Sequence, residues 1–232
     1  MNWRLKRQLI AIGIAGLAAA IVVFGLFFWF SATAPSNDGV GLTEAPQPLR
    51  LIWTRFFLVR PGVYDVAALV ENPNERVRAA AFSYIFRLFD EHDILIATKE
   101  GIGALDPAER FVTIEPLLAT GVRVPKRVSF EIRDAAWEAE TKIILPVVVT
   151  QKRFSADIID TVVRVTLANA DIRGTQALDV VAVLADADGN AAAAAAARIE
   201  PLAAGKEREV IFTWPRALPE PKVIEVYVRE RL

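Results

Sequence analysis

Residues 80–101 read AAFSYIFRLFDEHDILIATKEG, and this stretch decides the predicted fold. Phe82, Tyr84, Phe86 and Leu88 alternate with residues of mixed polarity, which is the period of two that places side chains on one face of a β-strand. The DEHD segment at 90–93 is a polar turn, and a second short apolar run follows it. The stretch therefore predicts two antiparallel strands joined by a hairpin. Because both faces of the first strand are partly apolar, we expect it to lie in the centre of a sheet.

Similar short apolar runs lie on both sides of this hairpin, and Pro, Gly, Asn or Asp clusters close each of them. They are LIWTRFFLV at 51–59, VYDVAALVEN at 63–72, FVTIEPLL at 111–118 and RVSFEIRD at 127–134. Short strands at this spacing are typical of an antiparallel β-sandwich.

The second half of the chain repeats the first at an offset of 96 or 97 residues. The matched landmarks are Asn72 with Asn169, Asp90 with Asp186, Leu105 with Leu202, and Pro125 with Pro221. Coincident landmarks at one offset indicate an internal duplication. The predicted fold class is therefore mainly β, with two tandem immunoglobulin-like antiparallel β-sandwiches at 50–140 and 141–232.

A run of seven alanines at 191–197 tests this prediction. Alanine has the highest intrinsic helix propensity, so composition alone favours a helix, which would mean that the second copy has lost a strand. The duplication instead aligns the run with residues 94–100, which are predicted to form a strand. We expect a strand here, because alanine is small enough for a closely packed or covered edge.

The first copy resembles a known family through the residues Phe86-Arg87-Leu88-Phe89-Asp90. They are close to the F-x-L-Y-D signature of the FxLYD domains, with Phe89 in place of the tyrosine. Further matches in the expected order are Val70 and Asn72 upstream, and Leu105, Pro107 and Glu109 downstream. The resemblance covers about residues 50–135, and the second copy has only AVLAD at 182–186. It implies immunoglobulin-like extracytoplasmic modules of the bacterial envelope, without established catalytic residues.

An uncharged segment near the start predicts a membrane anchor. Residues 9–30 read LIAIGIAGLAAAIVVFGLFFWF, and at about 1.5 Å per helical residue they span the roughly 30 Å hydrocarbon layer of a bilayer. Arg4, Lys6 and Arg7 precede the segment, so the positive-inside rule leaves residues 1–8 in the cytoplasm. We expect a single-pass protein whose C-terminal domains are extracytoplasmic.

A cleaved signal peptide is the alternative for this segment, since Ala32-Thr33-Ala34 resembles a cleavage site. The length of the apolar run and Pro35 directly after that site favour a retained anchor. Residues 31–49 are rich in Ser, Pro, Asn, Asp and Gly and are predicted to be a linker. Small residues at Ala11, Ala15 and Ala19 could pack this helix against a partner helix.

Charge and composition exclude several classes of function. Residues 1–30 carry three cations and no acid, so the remainder has a formal charge of −4. A nucleic-acid partner is disfavoured because no basic patch is visible. Cysteine is absent, which excludes disulfides, lipidation through an N-terminal cysteine, thiolate metal sites and thiol nucleophiles.

Two acidic clusters could hold a cation, and each has a simpler explanation. His92, the single histidine, lies beside Asp90, Glu91 and Asp93, but this polar tip is also what a hairpin requires. Asp186, Asp188 and Asn190 alternate as at the start of a calcium loop, but no glutamate follows within the alanine run. We interpret both clusters as turns.

Other candidate chemistries lack a complete pattern. No serine lies in a G-x-S-x-G motif, and Gly101-Ile102-Gly103 lacks the rest of a phosphate loop, so we interpret it as a flexible connection between strands. Six aromatic residues could line a groove but are more often core residues in a sandwich: Trp53, Trp137, Trp214, Tyr64, Tyr84 and Tyr227. If a binding surface exists, we expect it at the seam between the copies, around residues 134–146.

These observations assign no catalytic, cofactor-binding or metal-binding residue and predict no cofactor. The predicted function is a membrane-anchored, extracytoplasmic, non-enzymatic binding or scaffolding protein of the bacterial cell envelope, with unidentified protein partners. A structural subunit of a pilus-type or secretion-type assembly is the first alternative. A hydrolase that uses paired carboxylates is the second, because the spacing of such residues is spatial and not visible in a sequence.

Overall fold

A computed structural model describes residues 45–141 and 144–231, in which twelve β-strands and no α-helix are found. The prediction of a mainly β protein with antiparallel sheets is confirmed. The predicted anchor at 9–30 lies outside the described residues, as does most of the predicted linker. Within the described part of the chain, no helix has the length and apolar character to span a bilayer.

The first half contains two three-stranded antiparallel sheets, with strand orders β1-β2-β5 and β4-β3-β6. Their strands are β1 (Arg50–Arg60), β2 (Val63–Glu71), β3 (Val77–Phe89), β4 (Leu95–Leu105), β5 (Arg110–Ala119) and β6 (Arg127–Ala139). The strand β3 contains the motif residues Phe86 to Phe89 and is central in its sheet, as expected.

The second half has the same topology, with strand orders β7-β8-β11 and β10-β9-β12. Its strands are β7 (Val147–Ala156), β8 (Thr161–Asn169), β9 (Leu178–Ala185), β10 (Ala191–Ile199), β11 (Glu207–Trp214) and β12 (Val223–Glu230). Each strand takes the place of the strand six positions earlier, which is the arrangement that a duplication produces. The alanine run forms most of β10, so the prediction of a strand there is confirmed.

The core of the first half lies between its two sheets. Phe82, Tyr84, Phe86 and Leu88 are all buried and belong to one apolar cluster with residues of β2. Their shared face follows from the alternation in the sequence. Phe86 also packs against Phe130 of β6, with 4.6 Å between ring centroids.

The second half has its own core, but its sheet β10-β9-β12 also contributes to the core of the first half. Val181, Val183 and Ala194 are buried in the same cluster as Phe82 and Phe86. Neighbours of these residues in β9 and β10 face the other way and belong to the second core. The sheet is therefore covered on both faces, and residues Glu44–Leu232 form one compact unit.

Candidate functional site at the seam between the halves

A buried asparagine organises the loops at one end of the first half. Asn72 is fully buried, and its Nδ2 donates hydrogen bonds to the carbonyl oxygens of Val77 at 2.8 Å and Asp106 at 2.9 Å. Its Oδ1 accepts a hydrogen bond from the backbone N–H of Asn74 at 3.1 Å. One side chain thus joins the β2–β3 turn to the β4–β5 turn.

Asn169 does the same in the second half. Its Nδ2 donates to the carbonyl oxygens of Arg173 at 2.7 Å and Leu202 at 2.9 Å, and its Oδ1 accepts from the N–H of Asp171 at 2.9 Å. The two asparagines are matched landmarks of the duplication in the sequence. They also position the loops that approach each other at the seam.

These loops enclose a cleft of about 620 Å³. Both halves and the connection between them contribute to its lining: residues 106–110, Glu140, residues 144–146, Asp171, residues 173–176 and residues 228–231. Of the residues around which a binding surface was expected, 134–146, the cleft lining includes Glu140 and residues 144–146. Residues 134–139 instead continue β6.

Two arginines pair with polar groups around the cleft. Arg78 Nη1 lies 3.0 Å from Glu140 Oε2. Arg229 Nη1 donates to the carbonyl oxygen of Ala104 at 2.8 Å, and its guanidinium carbon lies 3.9 Å from the centroid of the Phe111 ring. The contacts of Arg229 join β12 of the second half to β4 and β5 of the first.

Two acids in the lining of the cleft have raised pKa values. Burial raises the pKa of Asp106, and the neighbouring carboxylates of Glu140 and Glu230 add to this effect while Arg78 and Arg229 oppose it. Burial also raises the pKa of Glu109, whose Oε2 accepts a hydrogen bond from the N–H of Asp106 at 2.7 Å. A carboxyl group removed from water is more easily protonated.

Several polar atoms here have no hydrogen-bond partner among the described residues. They are Arg78 Nε, Asp106 Oδ1 and Arg229 Nε, while Glu140 Oε2 contacts only Arg78 in the ion pair described above. All are shielded from water, and buried polar atoms are normally paired. The lining contains carboxylates and guanidinium groups but no histidine, serine or cysteine among the residues described.

The acidic clusters singled out in the sequence form turns, as interpreted. Asp90 Oδ1 accepts hydrogen bonds from the N–H groups of His92 and Ile94, both at 3.0 Å. Asp186 Oδ1 accepts in the same way from Asp188 and Asn190, both at 2.9 Å. The His92 side chain is 73% exposed. No group of three or more acids and histidines in the described ranges is placed to hold a metal ion.

The interpretation of Gly101-Ile102-Gly103 as a connection is wrong, because these residues lie inside β4. Tyr84 and Phe82 are the cross-strand partners of Gly101 and Gly103. A Cβ atom on Gly101 would lie 2.3 Å from the Tyr84 hydroxyl oxygen, and one on Gly103 would lie 2.6 Å from the Phe82 ring. Both glycines are needed because aromatic rings lie directly over them.

The six aromatic residues are core residues and do not line the cleft. Trp214, Tyr64 and Tyr84 are buried. Trp53, Trp137 and Tyr227 are partly buried and pack against the core of the first half. These aromatic residues therefore contribute to the core, which is their more common role in a β-sandwich.

Comparison with known proteins shows no family to which the chain belongs. No family model matches the sequence, and no curated protein matches it. Among solved structures, the chain is similar to red sea bream transglutaminase, with 13% identity and a TM-score of 0.27. The match covers 79% of this chain and 29% of that protein. A similarity at this level carries no argument about fold or activity.

Proposed function

We propose that this protein is a membrane-anchored, extracytoplasmic binding or scaffolding protein, and that the cleft at the seam receives a segment of a partner protein. The observation that carries the proposal is the cleft of about 620 Å³, which loops of both halves line with carboxylate and guanidinium side chains. A peptide segment supplies both donors and acceptors, which match a lining that contains both carboxylates and guanidinium groups.

The sequence supports the membrane part of this proposal. Residues 9–30 are uncharged and long enough to span a bilayer, and the cations before them favour a cytoplasmic N-terminus. The resemblance of residues 86–90 to the FxLYD signature agrees with an extracytoplasmic module. An anchor raises the effective concentration of the modules near other membrane proteins, which strengthens weak contacts.

Site-specific photo-crosslinking in intact cells tests the role of the cleft. Arg173 lines the cleft with a side chain that is 84% exposed, so a photoreactive residue there should reach a bound partner. The matched control is Glu91, which is 80% exposed at the tip of the β3–β4 hairpin. We expect a discrete adduct from position 173 and none from position 91. Equal adducts from both positions, or none from position 173, would contradict the proposal.

Cysteine labelling tests the predicted location independently of any partner. Because the chain has no cysteine, Asp188→Cys at the β9–β10 turn introduces a single thiol at an exposed position. A maleimide that cannot cross membranes should label this thiol in intact spheroplasts. Labelling only after lysis would place the folded unit in the cytoplasm and exclude the proposed location.

A carboxylate-based hydrolase is the second candidate, because the cleft brings several acids together. Asp106, Glu109 and Glu140 all line it, and the pKa values of the first two are raised, as a general acid requires. The purified full chain should then hydrolyse chromogenic glycoside or ester substrates, and Asp106→Asn should abolish this activity. If the unmodified protein hydrolyses neither the glycoside nor the ester substrates, this candidate function is excluded.

A further inference from the structure

The seam cleft contains charges of both signs, but part of its positive charge is already neutralised. Its lining has five carboxylates and four guanidinium groups: Asp106, Glu109, Glu140, Asp171 and Glu230, with Arg110, Arg173, Arg229 and Arg231. Arg110 Nη2 lies 2.6 Å from Oε1 of Glu71, which is outside the lining. Arg173 Nη2 lies 3.7 Å from Asp171 Oδ2. Both of these guanidinium groups are therefore paired with carboxylates.

Two further charged groups of the lining also have partners of opposite charge. Arg229 Nη2 lies 3.9 Å from Asp179 Oδ2, in addition to its contacts with the first half. The Glu140 carboxylate is paired with Arg78 at 3.0 Å. Neither Asp179 nor Arg78 belongs to the lining, so these pairs hold the frame of the cleft and leave its other carboxylates without a cation.

Three carboxylates of the lining form no ion pair in the described part of the chain: Asp106, Glu109 and Glu230. All three residues are half-buried. The guanidinium of the lining that also forms no ion pair there is that of Arg231, so the unpaired groups have a surplus of negative charge. The raised pKa of Asp106 agrees with this surplus, because burial and the neighbouring carboxylates both raise it.

The arrangement favours an organic cation over a metal ion. No group of three or more acids and histidines within 45–141 and 144–231 is placed to hold a metal. An ammonium or guanidinium group does not need converging ligands and forms ion pairs with separate carboxylates. The half-buried side chains of Leu145, Pro146 and Val228 also line the cleft. They provide an apolar surface for the methylene stem of a lysine or arginine.

We propose that the partner segment received by the seam cleft carries a lysine or arginine side chain, whose charge is balanced by Asp106, Glu109 and Glu230. This inference rests on the function proposed above and adds the chemistry of the partner. The charge of this side chain selects the segment, because a carboxylate from the partner would meet a surplus of like charge in the cleft.

The composition of the crosslinked partner tests the inference without any change to the carboxylates. The photoreactive residue at position 173 is activated in intact cells, and the adduct is digested with chymotrypsin, which does not cleave after basic residues. Mass spectrometry then identifies the partner peptide. We expect a lysine or arginine beside the residue that is joined to position 173. A partner peptide without either residue would overturn the inference.

Neutral variants of the carboxylates test the role of charge. Glu109→Gln with Glu230→Gln removes two charges but keeps the acceptors for the N–H groups of Asp106 and Gln176. The yield of the adduct from position 173 should fall at least about tenfold, because the cation loses its partners. The matched control is Glu225→Gln with Glu91→Gln. It removes the same formal charge outside the cleft, and it should leave the yield unchanged.

The outcomes separate this inference from the proposed function. An adduct that the cleft variant leaves unchanged, or an equal loss in the control variant, would overturn the requirement for a cation while the cleft would still receive a partner. Absence of any adduct from position 173 in the otherwise unmodified chain would contradict the proposed function itself, and this inference with it.

Discussion

At the scale of single residues, the landmarks that repeat along the sequence support the fold. Asn72 and Asn169 make matching sets of hydrogen bonds to backbone carbonyls, and Asp90 and Asp186 make matching sets to backbone N–H groups. Side chains that satisfy buried backbone groups cannot be replaced without leaving those groups unpaired. Burial explains why Asn72, Asn169 and Asp90 are kept, whereas Asp186 is exposed and keeps its match by shaping the β9–β10 turn.

We predict that Asn72→Ala lowers the free energy of unfolding by about 3 kcal/mol, because it leaves buried carbonyl oxygens without a donor. Chemical unfolding of the full chain in mild detergent, followed by tryptophan fluorescence, measures the change. The matched control is the exposed Asn190, where alanine should cost no more than about 0.5 kcal/mol. Equal losses from the two variants would show that the hydrogen bonds of Asn72 contribute little.

Asp90 should make stability depend on pH. Burial opposes ionisation of this carboxyl, but hydrogen bonds from the N–H groups of Ile94 and His92 and the ion pair with Arg123 outweigh it and lower the pKa. A lowered pKa in the folded state stabilises the protein above the ordinary value of 3.8, and this contribution is lost as the pH falls through the lower folded value. Asp90→Asn should therefore destabilise the protein at pH 7 and have a smaller effect at acid pH. Equal destabilisation by Asp90→Asn at pH 7 and at acid pH, measured by chemical unfolding, would contradict this explanation.

At the scale of elements, β10 shows why a run of alanines forms a strand. Ala193 and Ala194 are buried, and the indole Nε1 of Trp214 donates to the carbonyl oxygen of Ala194 at 3.3 Å. Side chains of this strand face the core of the second half on one side and the core of the first half on the other. Small side chains allow both contacts, so tertiary packing overrides the helix propensity of alanine.

We predict that Ala194→Leu destabilises the protein by about 1–3 kcal/mol, because it overpacks this closely covered position. Ala196 lies in the same strand and is exposed, so Ala196→Leu is the matched control and should change the stability by at most about 0.5 kcal/mol. Thermal unfolding of both variants measures the difference. A tolerated leucine at Ala194 would mean that the two halves are packed less closely than the structure indicates.

At the scale of the whole molecule, the two halves are not independent modules on a tether. The sheet β10-β9-β12 contributes to both cores, and Arg229 of β12 contacts Phe111 of β5. Elements that share a core lose their packing together. The seam cleft therefore lies between elements of one packed unit, so the proposed binding there would require little ordering of the chain.

The shared core predicts one cooperative unfolding transition. Val183→Ala should remove about 2 kcal/mol of stability and should lower hydrogen-exchange protection equally in β3 and in β9, although Val183 lies in the second half. Hydrogen exchange measured by mass spectrometry on the full chain reports both strands at once. Loss of protection in β9 alone would show that the halves unfold separately.

The strands, the shared face of Phe82 and Phe86, and the central place of β3 could be predicted because alternation is a local signal. The turns at Asp90 and Asp186 could be predicted because a cluster of polar residues is also a local signal. The seam cleft was located only coarsely, because its lining comes from loops and a strand that are distant in sequence. The roles of Gly101 and Gly103 were missed because they depend on the register that places Tyr84 and Phe82 across from them.

The double coverage of β9 has a consequence for biosynthesis. A ribosome completes the first half well before the second. The nascent chain therefore exposes an apolar sheet surface that Val181 and Val183 cover only later. Until those residues are made, that surface needs shielding from other chains, for example by a chaperone. A chain truncated after residue 141 should therefore be aggregation-prone and be degraded. The gene is expected to tolerate early stop codons poorly.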